Sequence, residues 1–212
     1  LVFNKDFYCG YSPERINPGD KTKQLKNIVK ITSGSNKKTA TIVDNLYKKI
    51  IMKGTYKVDN IMIAEAAKVL ENTQRYINIA LMNEFSFLLK KLNVDTKKVI
   101  DAASTKWNFG KYYPGLVGGH CVPEDPFYYL FQSRKLKSQS KLVSASKDIH
   151  KSYEDHIIKL IFKELKVKKI EKKINILFLG YSFKENCSDV RNTKVPNLIY
   201  KLNKVSNIIN IY

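Results

Sequence analysis

The sequence predicts a mixed α/β fold organised by one very long helix, and three features predict it. From Asp59 the chain runs DNIMIAEAAKVLENTQRYINIALMNEFSFLLKKL, more than thirty residues with neither Gly nor Pro. Toward the other end INILFLG, residues 174–180, is a run apolar except at Asn175 that stops at Gly180. That is the pattern of a strand buried in a parallel sheet just before its turn. Up to Val58, short strand-like and helix-like segments alternate, as in βα units.

Taken in order, Phe7–Ser12 reads as a strand, followed by the loop SPERINPGD with Pro13, Pro18 and Gly19 as its punctuation. Ile28–Thr32 is a second strand. Ser35–Ile50 has helical spacing through Ala40, Val43, Leu46 and Ile50, with Ser35 or Asn36 as N-cap. Thr55–Val58 is a third strand. The long helix carries a stripe of Ile63, Ala66, Ala67, Leu70, Thr73, Ile77, Ala80, Leu81, Glu84 and Leu88. At about 1.5 Å per residue it approaches 50 Å, too long to bury in a chain of this size. It is expected to act as a spine between domains or across a subunit interface. Asp95 caps a helix over Thr96–Ala103, an irregular loop covers Ser104–Phe127, and helices follow at Pro126–Gln132 and Ser138–Leu165. After the strand at 174–180 come a turn (Tyr181–Asp189), a helix (Arg191–Leu202) and another strand from Asn207 to Tyr212, which together make a βαβ unit.

The 212 residues carry 38 Lys and Arg against 19 Asp and Glu, a net charge of +19. With 43% hydrophobic and 27% charged residues the chain is globular rather than disordered. No apolar run reaches the roughly 18 residues a membrane span needs. The opening LVFNKDFYCGYSPER has no basic stretch before an apolar core, so no signal peptide is expected. Cys9, Cys121 and Cys187 are too widely spaced for a disulfide scaffold or a paired-cysteine zinc site, and point to a reducing cytoplasm. The charge invites a nucleic-acid reading, but only Arg15, Arg75, Arg134 and Arg191 are arginines, and the lysines are spread along the chain. The densest run, KELKVKKIEKK at 163–173, reads as a solvated helix end. No nucleic-acid or membrane partner is expected, whereas an anionic ligand such as a nucleotide is favoured by the field.

Candidate chemistry concentrates between Trp107 and Tyr129. This stretch holds Gly110, Gly115, Gly118 and Gly119 of the nine glycines, together with Pro114, Pro123 and Pro126. Gly118-Gly119 ahead of His120-Cys121 would set the thiol on a tight turn beside backbone N–H groups, as a nucleophile with an oxyanion site requires. A small buried cysteine is the competing reading. Lys68 and Asn72, four apart, share a helix face and could steady an oxyanion, or simply face solvent. Lys184 and Arg191 lie near a helix start, where they suit a phosphate, with ordinary capping by Asp189 as the alternative. Glu14 alone reads as a surface carboxylate. His120, Cys121 and Asp125 lack the convergence of a metal site, and none is expected.

Four segments, in order, resemble the UDP-glucose/GDP-mannose dehydrogenase family, and within it the branch acting on UDP-N-acetylhexosamines. They are YSPERINPGD (11–20), AEAAKVLENTQRYINIALMNE (64–84), TKWNF…YPGLVGGHCVPEDPFYY (105–129) and FKENCSDVRNTKV (183–195). The resemblance implies the end of an N-terminal Rossmann domain (1–58), a central helical dimerisation and catalytic domain (59–165) and a partial UDP-binding domain (166–212). It implies NAD-dependent oxidation of the sugar C6 alcohol to a carboxylate, in surface polysaccharide synthesis in the cytoplasm. Cys121 would attack the intermediate aldehyde and carry a thioester. Lys68 and Asn72 would hold the oxyanion and a water, Asp125 would act as base, and Glu14 would support hydrolysis. Gly118, Gly119, Lys184 and Arg191 would bind the UDP-sugar, and the long helix would form a homodimer.

Family members open with a GxGxxG turn, which this sequence lacks. The chain is therefore expected to start downstream of the main NAD site and to stop within the UDP domain, with a separate chain as one source of the NAD domain. An inactive fragment serving only as a helical oligomerisation module is the alternative function.

Overall fold

The computed structural model describes residues 1–17, 19–20, 22–167, 174–203 and 206–211. Pro18 of the first loop, residues 168–173 of the lysine-rich run and Tyr212 lie outside the described residues. The chain divides into two compact units, Leu1–Glu71 and Asn72–Tyr212.

In the first unit β1 (Gly10–Tyr11), β2 (Lys30–Gly34) and β3 (Thr55–Lys57) form one sheet in that order. β1 pairs antiparallel with β2 and β2 parallel with β3. The parallel pair needs a crossover, supplied by α1 (Lys37–Lys48), whose N-cap Asn36 accepts the Thr39 N–H at 2.9 Å. β1 is shorter than the predicted Phe7–Ser12 strand. A 3₁₀ turn at Leu25–Asn27 was not expected, being too short to leave a periodic signal.

All five residues of β2 are buried although three are polar, because each polar side chain has a partner. Thr32 Oγ1 donates to Asp44 Oδ1 at 2.7 Å, Ser33 Oγ donates to the Tyr11 carbonyl at 2.7 Å, and Lys30 Nζ donates to the Pro13 carbonyl at 2.8 Å. Ile31, Val58 and Ala64 make the apolar centre, with Tyr11 and Ala67 against it.

Burial alone would raise the Asp44 carboxyl. Lys48, at 2.8 Å, and the Thr32 hydroxyl outweigh burial and hold the group down to about 2. A carboxyl depressed on folding stabilises above its unfolded value and loses that contribution as pH falls through its folded value. Asp44→Ala is therefore expected to cost about 2 kcal/mol at neutral pH and clearly less near pH 2, read by urea unfolding at the two pH values.

Asn60 caps α2 (Ile61–Lys91), with its Oδ1 accepting the Ile63 N–H at 3.0 Å. The helix ends without Gly or Pro. Asn93 takes the left-handed conformation (φ 55°), its N–H meets the Lys90 carbonyl, and the Val94 N–H meets that of Leu89. The predicted stripe divides. Thr73 and Ala80 are buried, whereas Ile63, Leu70, Leu81 and Leu88 are 43%, 70%, 41% and 55% exposed.

In the second unit α3 (Thr96–Ala103) is capped by Asp95 as predicted. α4 (Asp125–Lys135) and α5 (Lys141–Val167) follow. α4 closes on Lys137 in the same left-handed way as α2 on Asn93. β4 (Ile174–Phe178) and β5 (Ser206–Ile211) pair in parallel around the crossover α6 (Val195–Leu202), so the predicted βαβ unit forms. α6 begins at Val195 rather than Arg191, because Asn192 at φ 54° cannot lie in a helix and Pro196 fits only its first turn. Ile158, Leu198 and Leu202 bind α5 to α6 over Ile176 and Phe178. Full burial of Leu202 alone contributes about 2 kcal/mol. No helix among the described residues is long and apolar enough to cross a membrane.

Candidate functional site

In the second unit the glycine-rich loop runs into α4 through a turn. The Cys121 carbonyl accepts the N–H groups of Glu124 (3.1 Å) and Asp125 (2.9 Å), which sets the half-buried Cys121 directly before the helix. Asp125 is the first residue of α4 and is buried. Its Oδ2 accepts a hydrogen bond from Asn72 Nδ2 at 2.7 Å, and Asn72 is buried as well. Three of the predicted site residues are thus joined: Asn72 to Asp125, and Asp125 to Cys121 through the turn.

Gly118 and Gly119 are required by close packing. A Cβ on Gly118 would lie 2.6 Å from Phe183 Cβ and 3.0 Å from the Asn192 carbonyl. Gly119 has φ +89°, and a Cβ there would meet the Phe183 ring at 2.9 Å. Asn192 Nδ2 donates to the Gly119 carbonyl at 3.2 Å, which ties the segment after β4 to the loop.

Lys184 and Arg191 stand on this segment. The Lys184 carbonyl accepts Ser182 Oγ at 2.8 Å. Arg191 makes a two-pronged contact with Asp189 (Nη2–Oδ2 2.7 Å, Nε–Oδ1 2.9 Å), which pulls the Asp189 carboxyl down to about 2. His120 Nδ1 lies 3.5 Å from the same carboxylate.

In the first unit Glu14 folds back on its own loop, with Oε1 accepting the N–H groups of Arg15 and Ile16, both at 2.7 Å. Its other oxygen lies 3.8 Å from Lys30 Nζ. Arg15 Nε pairs with Glu71 Oε2 on α2 at 2.9 Å. Burial lowers the Lys30 ammonium from its ordinary range; Glu14 opposes this, and the charges of Arg15 and Lys68 add to it. Lys68 is half-buried on α2, four residues before Asn72.

Sequence reasoning passed over one buried group in each unit. In the first unit Lys30 sits in a short strand, where a lysine reads as solvent-facing. Asn83, fully buried, holds the Gly115 peptide from both sides: Oδ1 accepts the Gly115 N–H at 2.8 Å and Nδ2 donates to its carbonyl at 3.1 Å. His150 adjoins it, with Nδ1 3.4 Å from Asn83 Nδ2 and Nε2 2.9 Å from the Tyr76 carbonyl. Burial lowers the His150 ring below its ordinary range; the hydrogen bond to the Tyr76 carbonyl opposes this and the Lys194 charge adds to it. A cavity of about 410 Å³ lies beside His150. Glu124 lines it together with Lys147, Lys151 and Lys194, so cations balance the carboxylate that precedes Asp125.

Among the described residues no group of three His, Cys, Asp or Glu could hold a metal ion. A dinucleotide needs a strand–helix turn whose free N–H groups meet its pyrophosphate. The β2–α1 turn is closed by its own groups: Ser35 N–H donates to the Cys9 carbonyl at 2.8 Å and Asn36 takes the Thr39 N–H. A Cβ on Gly34 would lie 2.3 Å from Ala40 N, so this glycine serves helix packing. The β2–α1 turn therefore does not offer the free N–H groups that an NAD pyrophosphate needs.

Residues 62–152 match the model of the UDP-glucose/GDP-mannose dehydrogenase family, central domain. Two relatives named UDP-N-acetyl-D-glucosamine 6-dehydrogenase are 45% identical over 217 residues (Salmonella typhi) and 44% identical over 203 residues (Pseudomonas aeruginosa). These alignments cover 100% and 95% of this chain but 50% and 48% of the relatives. The solved structure of a UDP-D-ManNAc dehydrogenase from Pyrococcus horikoshii superposes with a TM-score of 0.89 at 28% identity, covering 100% of this chain and 50% of that one. The chain spans about half the length of the relatives it matches. The match to the central domain of the UDP-glucose/GDP-mannose dehydrogenase family thus lies in residues 62–152, and the similarity to the Salmonella typhi relative runs along the whole of this chain.

Proposed function

We propose that this chain supplies the carbon-side chemistry of an NAD-dependent UDP-N-acetylhexosamine 6-dehydrogenase of surface polysaccharide synthesis. The observation that carries the reading is the buried Asn72–Asp125 hydrogen bond beside the Cys121 turn. Oxidation of the C6 alcohol to a carboxylate removes two hydrides, and NAD is the oxidant inferred from the family. This chain's own residues account for the addition and the hydrolysis. The Cys121 thiolate adds to the C6 aldehyde, forming the S–C bond, and the carbonyl oxygen takes a proton to give a thiohemiacetal. Lys68 and Asn72 steady that oxygen; the Asn72 amide has a second N–H beyond the one given to Asp125. At the thioester stage Asp125 takes a proton from the attacking water, Glu14 supports the step, and the C–S bond breaks to return the thiolate. Lys184, Arg191 and the Gly118–Gly119 backbone hold the nucleotide sugar. The reaction belongs in the cytoplasm, whose reducing conditions keep a thiol such as that of Cys121 available. The test is incubation of the chain with UDP-N-acetyl-D-glucosamine and UDP-N-acetyl-D-mannosamine while following alkylation of Cys121. Protection by either sugar nucleotide, and none by UDP-glucose, is expected; equal alkylation with and without them overturns the reading.

The exposed apolar residues Ile63, Leu70, Leu81 and Leu88 favour a second role for α2, as the interface of a homodimer. Leu70→Glu with Leu81→Glu is expected to convert a dimer into a monomer, measured by light scattering; an unchanged mass excludes this face.

A further inference from the structure

Both ends of the thiol loop are fastened to one face of one helix. Asn72 and Asn83 are eleven residues apart on α2, which at about 100° per residue is three full turns with only some 20° left over. Their side chains therefore point the same way, separated by about 16 Å along the axis. Asn72 holds Asp125, where the loop ends, and Asn83 holds Gly115, where it begins. The ten peptide steps between could span about 35 Å if extended, so the loop has slack and must bow away from its anchors. Gly118, Gly119 and Cys121 lie on that bow. Where an arch stands depends on both footings as well as on the Phe183 and Asn192 contacts at Gly118–Gly119, and at Gly115 the footing is the Asn83 side chain.

The chemistry of that footing is complete. The Asn83 amide oxygen takes the Gly115 N–H, and one amide N–H goes to the Gly115 carbonyl. The second amide N–H faces His150 Nδ1. For Nδ1 to accept, the ring proton must sit on Nε2, where it donates to the Tyr76 carbonyl on the same helix. Every polar atom of the fully buried Asn83 side chain is then used, which gives the amide one orientation.

We propose that Asn83 is a positioning residue for Cys121, oriented by His150, and that it fixes where the thiol stands relative to α2. Its catalytic consequence rests on the proposed function; the positioning itself does not.

The test reads the thiol directly and needs neither sugar nor oxidant. Alkylation of the intact chain by iodoacetamide is followed at Cys121, with Cys9 and Cys187 as internal references, all three being half-buried. Asn83→Ala is expected to change the Cys121 rate about fivefold or more relative to both references, in line with loss of two ordinary hydrogen bonds. Should that variant not fold, His150→Phe removes the second acceptor while sparing the Gly115 pair, and is expected to shift the same ratio about twofold. A ratio unchanged in the folded variants overturns the proposal. So does a parallel change at all three cysteines, since that is general loosening. Loss of sugar-nucleotide protection with a normal ratio counts against the dehydrogenase reading alone.

Discussion

Cys121→Ser is expected, on the proposed dehydrogenase chemistry, to form no covalent adduct with a UDP-N-acetylhexosamine 6-aldehyde. A thiolate is accessible near neutral pH and strongly nucleophilic, whereas a serine hydroxyl needs a strong base at hand to attack. The ester a serine would form also hydrolyses more slowly than a thioester. Native mass spectrometry of the chain with the aldehyde separates the outcomes. The wild-type chain gains the mass of one aldehyde, mapped to Cys121; the serine variant gains none. An adduct on Cys9 or Cys187, or an equal adduct in the variant, removes Cys121 from the mechanism.

Gly118→Ala is the second large effect. The added methyl would meet Phe183 Cβ at 2.6 Å and the Asn192 carbonyl at 3.0 Å. Neither neighbour is the loose end of a flexible side chain, so the segment that carries Lys184 and Arg191 must shift. Overpacking of this kind costs about 1–3 kcal/mol. Gly119→Ala meets the flat Phe183 ring and adds a left-handed backbone penalty of about 1–2 kcal/mol. Both variants are expected to lower the melting temperature and to weaken sugar-nucleotide affinity, by differential scanning calorimetry and titration calorimetry. Phe183→Ala on the Gly118→Ala background relieves the closest contact and is expected to recover part of the stability. Gly118→Ala with unaltered melting and affinity contradicts the packing described.

What the sequence made legible follows from how local each signal is. Asp95 stands directly before the helix it caps, α2 has neither Gly nor Pro to stop it, and INILFLG is apolar apart from Asn175; each is written in consecutive residues. The ends of α2 and α4 were less legible because Asn93 and Lys137 do in the left-handed region what a glycine usually does. α6 began late because Asn192 does the same. In the site, the resemblance brought Asn72, Cys121 and Asp125 together, and the structure joins Asn72 to Asp125 and Asp125 to the Cys121 turn. The Asn83–Gly115–His150 arrangement spans 32 and 67 residues, and no periodicity or motif links positions so far apart. Lys30 escaped notice because its burial depends on the Pro13 carbonyl and Glu14 coming back over β2.

That lysine makes the first unit its own reporter. An acylating reagent added to the folded chain modifies the many solvent-facing amines at once, but Lys30 is 3% exposed and must wait until its strand comes free. The delay before that one site acquires a mass tag, compared with its neighbours, times the transient openings of the N-terminal sheet. Such a clock needs no added probe, and it runs under the same solution conditions as any binding assay.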